Sequence, residues 1–197
     1  MKPKIKVSPT IILMAIASIV FKDIALSKVA VILSAALLHE AGHLLVALVS
    51  KIPLKCIRLD IFGASIEAEC EACSYTKEAI LCIAGPLANI LSALTVNLIS
   101  FSFDTRLFTV ASMAFAVINL LPAKGFDGGR ILSCFLLSFV SPRAVSLITE
   151  IFSFICVFLL WSASVYFIMR TGSYVSLFIF SGALFARLFL LNENFRE

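Results

Sequence analysis

Charge is scarce in this sequence. Asp, Glu, Lys and Arg supply 14% of the 197 residues, where a soluble domain carries about 25%. Hydrophobic residues fill the difference, at 61% against about 45–50% in soluble domains, and mean hydropathy is +1.07. One soluble core cannot hide that surplus, so a soluble enzyme, a nucleic-acid-binding domain, a disordered chain and a secreted disulfide scaffold are excluded. Long polar stretches are also missing. The longest, residues 51–77, falls far short of the roughly 100 residues of an ordinary extramembrane domain. Tandem repeats and low-complexity tracts are absent, and there are only two histidines. The net charge of +4 implies no nucleic-acid partner, because the basic residues sit at the edges of apolar runs, where Lys and Arg orient membrane helices.

Apolar length is what the chain does have. A membrane span takes about 20 residues, so six spans would use roughly 120–130 residues, about two thirds of the chain. The expected fold is a single membrane-embedded domain over residues 1–197: an all-α polytopic protein with about six transmembrane helices. The spans fall at about 7–21, 24–50, 78–103, 107–140, 144–169 and 174–191, with the fourth interrupted by Pro122, Gly125, Gly128 and Gly129. Residues 7–21 are short enough to suggest a signal-peptide core, but the small-residue pair Ala15 and Ala17 lies inside the apolar run, which favours a short first span. Between the second and third spans, Leu54–Phe62 and Ala64–Cys70 partly alternate around Gly63 and read as a small β-hairpin at the membrane surface. With the N-terminus in the cytoplasm, that side collects Lys2, Lys4, Lys6, Lys51, Lys55, Arg58, Lys77, Arg143 and Arg196, against Lys22, Arg106 and Arg170 opposite. The positive-inside rule then places both termini in the cytoplasm.

Ionisable residues inside a span are costly and point to function. His39-Glu40-Ala41-Gly42-His43 in the second span is an HExxH motif. On a helix its two imidazoles share one face and can hold one Zn²⁺, while Glu40 is placed to take a proton from water. The bland alternative, two core histidines with a stray acid, gives a buried Glu no purpose. A catalytic zinc needs a third protein ligand, and no histidine remains. Asp127 is the best candidate. It lies in Asn119-Leu120-Leu121-Pro122-Ala123-Lys124-Gly125-Phe126-Asp127-Gly128-Gly129-Arg130, a broken stretch of the kind tolerated at membrane depth only where protein buries it or a cavity hydrates it. Alternatively, Asp127 caps the helix that restarts near Gly128. His43 precedes Lys51 by eight residues, about 12 Å of helix, so the metal should sit inside the membrane nearer the cytoplasmic face.

These motifs, together with Gly85-Pro86-Leu87-Ala88-Asn89 on the third span, resemble the site-2 protease family of intramembrane zinc metalloproteases. In outline the resemblance covers the whole chain and is nearest to the stage IV sporulation protein FB subgroup, without a CBS domain. It implies one zinc per chain on His39, His43 and Asp127, Glu40 as general base, and Asn119 beside the substrate or the oxyanion. The alternative for Asn119 is a helix–helix hydrogen bond. Gly85 and Pro86 imply a kink or close packing, and Asn89 a bond to neighbouring backbone. The implied activity is cleavage of a peptide bond in or near a substrate's membrane segment, such as a sporulation transcription-factor precursor. Small membrane proteins would inhibit it, and self-association is left open. Lys124-Gly125-Phe126 departs from the Pro and Leu often found there in the family, which bears on loop shape and not on the ligand.

Other polar residues have plainer readings. Cys82, Cys134 and Cys156 fill apolar spans. Cys70 and Cys73 form a CxxC on the reducing side of the membrane, where a stable disulfide is disfavoured, and a second zinc site there would need two more ligands, with Cys56 the nearest thiol. Glu150 either faces a cavity or snorkels, and reads as structural or gating; Arg187 snorkels. The rival function is a non-enzymatic metal transporter or channel, which would need polar sites at several depths. Here they converge on one. A catalytically dead scaffold would have lost Glu40 or a ligand, and none is missing.

Overall fold

The computed structural model describes the backbone of residues 4–7, 26–52, 54–60, 63–68, 74–99, 102–172 and 175–193, and the side chains of 27–52, 74–99, 102–172 and 177–186. Apart from Val7, the expected first span lies outside the described residues, as do the side chains of Cys56, Cys70, Cys73 and Arg187. The order of elements is β1 (Lys4–Val7), α1 (Leu26–Val49), β2 (Leu54–Asp60), β3 (Gly63–Ala68), α2 (Tyr75–Ile99), α3 (Phe103–Asn119), α4 (Asp127–Leu136), α5 (Pro142–Thr171) and α6 (Val175–Glu193). Among the described residues, three helical stretches are long and apolar enough to cross a membrane: Ser27–Val49, Tyr75–Ile99 and Pro142–Thr171. At 1.5 Å per residue they rise about 35–45 Å, enough for a hydrocarbon core of about 30 Å. Leu37, Leu48, Leu98 and Phe154 are exposed along them, as expected of helices bathed in lipid. The chain divides into two compact units, Met1–Leu120 and Leu121–Glu197.

In the first unit α1, α2 and α3 pack on one another. Small residues make this possible: Ala35, Ala47, Ala93 and Ala116 are buried almost completely, as at interfaces where helices associate in lipid through close backbone approach. The tightest point is Gly42 of α1. A Cβ there would stand 2.6 Å from the Ala84 carbonyl oxygen and 2.7 Å from Ala88 Cβ. The end of α1 is fixed by a Schellman arrangement: Ile52 N donates to Ala47 O at 2.9 Å and Lys51 N to Leu48 O at 3.2 Å, with Lys51 in the left-handed region at φ 53°. The turn folds Ile52 back into an apolar cluster with Ala47 and Leu81. At the start of α3, Ser102 and Thr105 form a reciprocal capping box.

The sheet runs β1-β2-β3. β2 and β3 are antiparallel, with Ile57 opposite Ile66 and Asp60 opposite Gly63, and β1 pairs with β2 in parallel from Lys4↔Cys56 to Val7↔Leu59. The strand at Lys4–Val7 corrects the reading of that segment as a basic flank with Val7 opening a span. Its strict polar–apolar alternation is the period of a strand, not of a helix.

The second unit holds α4, α5 and α6. The expected interrupted span 107–140 is two separate helices, α3 and α4. The break is complete because Pro122 has no N–H to continue a helix, while Gly125 adopts φ 92°. In place of helical bonds, the segment leading into α4 is held by α5. Lys124 N donates to Ser153 Oγ at 2.7 Å, and Lys124 Nζ pairs with Glu150 Oε1 at 2.8 Å. Glu150 is therefore tied to that segment and does not simply snorkel. α5 buries Val145, Thr149, Ser153 and Val157, a four-residue spacing that keeps them on one face. Further along, the fully buried Ser164 and Ser181 join α5 to α6 by an Oγ–Oγ bond of 3.1 Å.

A left-handed Lys51 carries a steric cost that glycine lacks, roughly 1–2 kcal/mol. Lys51→Gly is expected to raise stability by about 1 kcal/mol, read as a higher melting temperature in detergent.

Candidate metal centre

His39 and His43 lie one turn apart on α1, on the face turned toward α2, and are 4% and 7% exposed. Their rings meet edge to face with centroids 4.8 Å apart, and their Nε2 atoms are 3.1 Å apart. Two nitrogens on one tetrahedral zinc, each at 2.0–2.1 Å, would be about 3.3 Å apart. The pair therefore fits a shared ion after a shift of a few tenths of an ångström.

Each ring is oriented through its other nitrogen by α2. His43 Nδ1 is 2.8 Å from the Leu81 carbonyl oxygen. A carbonyl only accepts, so Nδ1 carries the hydrogen and Nε2 presents its lone pair. Leu81 thus serves twice, since its side chain packs against Ala47 and Ile52 where α1 ends. His39 Nδ1 faces Asn89 Nδ2 at 3.2 Å, and Asn89 is fully buried. The expectation of a bond from Asn89 to neighbouring backbone is corrected here. One helix turn before Asn89, a Cβ at Gly85 would overlap His43 Nε2 and stand 2.7 Å from His39 Nε2. Only glycine leaves that space open. Pro86, fully buried beside it, has no N–H to return to the Cys82 carbonyl.

Glu40 follows His39 on α1 and is half-buried. Asn119 is the last residue of α3, and its Nδ2 donates to the Phe115 carbonyl at 3.0 Å. Asp127 belongs to the second unit. It is 9% exposed and is the first residue of α4. The position before it, Phe126, is the N-cap and makes no side-chain cap bond, so Asp127 is not the capping residue that the alternative reading required. In the first turn its carboxylate is favoured by the helix dipole. Cys82, Cys134 and Cys156 lie on α2, α4 and α5 outside any disulfide, the first two of them buried.

The residue missed as a site component was Asn89. Its spacing offered one usable signal: it falls four residues after Gly85, on the same helix face. Which element that face met was not legible without the packing of α1 on α2.

No protein-family model matches the chain. A stretch of 102 residues is 30% identical to a protein of Synechocystis sp. named "Putative zinc metalloprotease", taking in 48% of this chain and 27% of that protein. The chain thus matches little more than a quarter of that curated relative's length. Among solved structures, the site-2 protease from Methanocaldococcus jannaschii aligns with a TM-score of 0.66 and 19% identity, over 93% of this chain and 88% of that one. The chain shares the fold of that solved structure.

Proposed function

We propose that the chain is a multi-pass intramembrane zinc metalloprotease of the site-2 type, holding one zinc on His39, His43 and Asp127. The observation that carries this reading is the buried histidine pair, with Nε2 atoms at chelating separation and the His43 tautomer set by the Leu81 carbonyl. The resemblance to the Synechocystis protein and the shared fold support it. Two neutral imidazoles and one carboxylate form a donor set of the catalytic kind, with a fourth position left for water or substrate.

A zinc ion so held supplies a Lewis acid that polarises a carbonyl and makes water nucleophilic near neutral pH. The chain's own residues do the rest. Glu40 takes one proton from the attacking water as its oxygen bonds to the scissile carbonyl carbon. It delivers that proton to the departing amine as the C–N bond breaks. Asn119 uses one amide hydrogen on Phe115 and keeps the other to donate to the oxyanion. Peptide carbonyls in an intact helix are already hydrogen-bonded, so the substrate must be extended. Among the described residues β3 pairs only with β2, leaving an edge on which a substrate strand can add.

The rest of the reading completes a polytopic enzyme. It has six spans, the first following the strand that ends at Val7, both termini in the cytoplasm, and the reaction nearer that face of the membrane. Its substrates are membrane-bound or membrane-associated proteins, a sporulation transcription-factor precursor being one, and small membrane proteins act as inhibitors at the site entrance.

The test is reconstitution with membrane-tethered precursors, scored by cleavage and by zinc content. Wild type is expected to hold one zinc per chain and to lose cleavage with a chelator. Glu40→Gln is expected to keep its zinc and cut about 10²–10⁴-fold more slowly; cleavage at the wild-type rate would refute the general-base role. Asp127→Asn is expected to lower zinc occupancy, and zinc retained at full affinity would remove Asp127 from the ligand set. Gly85→Ala should gain about 1 kcal/mol of helix propensity, yet lose zinc because the added methyl collides with both rings.

A further inference from the structure

Asp127 stands where a helix is weakest. It is the first residue of α4, and the N-cap before it, Phe126, makes no side-chain cap bond. The N–H groups of a first turn have no intrahelical partners, so a start without a cap frays most easily. A carboxylate ligand placed there needs another means of staying in position. Part of it is local. Phe126 N donates to Ala123 O at 3.1 Å and Arg130 N to Phe126 O at 3.3 Å, and Ala123 and Phe126 are both buried. A Cβ at Gly129 would overlap Ala123 O, so the loop lies directly against the first turn of α4. Residues 123–130 therefore form one block, with Asp127 inside it.

α5 holds this block on both sides of Asp127. Three residues before it, Lys124 N donates to Ser153 Oγ at 2.7 Å and Lys124 Nζ to Glu150 Oε1 at 2.8 Å. Ser153 is fully buried, and its own hydrogen goes to Thr149 O at 2.6 Å, which leaves its lone pairs for the lysine amide. Six residues after Asp127, Ser133 Oγ bonds back to Gly129 O at 2.9 Å and meets Thr149 Oγ1 at 3.3 Å. Thr149 is buried too and donates to Val145 O at 2.6 Å. Ser153 and Thr149 are four residues apart and share one face of α5. Each hydroxyl already has an acceptor on its own helix, as Ser and Thr in apolar helices usually do. Neither needs a partner outside α5, yet both meet the segment that carries Asp127.

We propose that Ser153 and Thr149 are positioning residues for Asp127: they hold the uncapped start of α4 against α5, so that its carboxylate is oriented before it binds a metal. Glu150 assists through the Lys124 side chain, from a partly exposed position. The precision of a metal site depends on supporting side chains that are themselves locked by packing and hydrogen bonds, and both hydroxyls meet that condition. A ligand fixed in advance also loses less freedom when it binds. This inference rests on the zinc reading above, in which Asp127 is the third ligand. It adds that the affinity Asp127 confers is set from another helix.

The test is a double-mutant cycle on the full chain in detergent, read as zinc affinity by chelator competition. Ser153→Ala should weaken zinc binding about 2- to 10-fold, the worth of one hydrogen bond. Thr149→Val, which keeps the shape and drops the hydroxyl, should do the same. In an Asp127→Asn chain either change should alter affinity by less than about twofold, because the ligand it acts through is gone. Equal weakening in both backgrounds is what a general loosening of the fold would give, and it overturns the proposal. So does unchanged affinity when both variants are made with Asp127 in place. Should Ser153→Ala fail to fold, Thr149→Val decides. Should Asp127→Asn bind zinc too weakly for the cycle, amide hydrogen exchange decides: the variants should speed exchange in residues 124–130 and leave the far half of α5 unchanged, and uniform or absent acceleration overturns the proposal. Full zinc affinity in Asp127→Asn alone would remove Asp127 from the ligand set and this proposal with it. Equal weakening in both backgrounds overturns only the positioning role, so the two failures are distinguishable.

Discussion

Everything at the candidate centre depends on how closely α2 can approach α1. Lipid gives helices no hydrophobic reason to associate, so they are held by contact and by polar bonds. Both need short distances. The absence of side chains at Gly42 and Gly85 brings the backbone of α2 against the ring edges of His39 and His43, and a main-chain carbonyl becomes the orienting partner of His43. A carbonyl fixed in a helix is a rigid acceptor, and its position is set by the fold of the whole unit. The Schellman turn at Lys51 contributes to the same end by driving Ile52 onto the Leu81 side chain. Packing at the end of α1 and orientation of the second histidine are consequently one problem with one residue at its centre.

A second constraint acts throughout: in a medium without water, each polar group must find its partner inside the protein. The second unit shows this in a stretch with no regular backbone. Between α3 and α4 the chain loses its helical bonds, and α5 replaces them with the Ser153 hydroxyl on Lys124 N and the Glu150 carboxylate on its ammonium. Ser153 and Thr149 in turn bond to their own helix. The pair Lys124–Glu150 is partly exposed, so its worth lies in fixing the course of the segment before Asp127 more than in net stability.

How much of this was legible in the sequence varied with the range of the interaction. The HExxH motif is local, since five consecutive residues carry both the periodicity and the chemistry, and its place on a helix followed directly. The break before Asp127 was equally local, written in Pro122 and Gly125. The course of Lys4–Val7 was misread because three lysines at an N-terminus suggest a topogenic flank, and the alternation that makes a strand needs β2 beside it to take effect. Asn89 was weighed against its own helix because its partner lies fifty residues away in sequence, on a helix whose facing side the sequence did not reveal. Glu150 was left between two roles for the same reason, as its partner Lys124 is on the far side of α4 in the chain.

The contacts of Leu81 and Asn89 with the two rings have a mechanical consequence. Both come from α2, eight residues or about two helical turns apart. A slide of α2 along α1 would therefore carry both imidazoles with it, and the two rings keep their mutual spacing only while the helices stay in register.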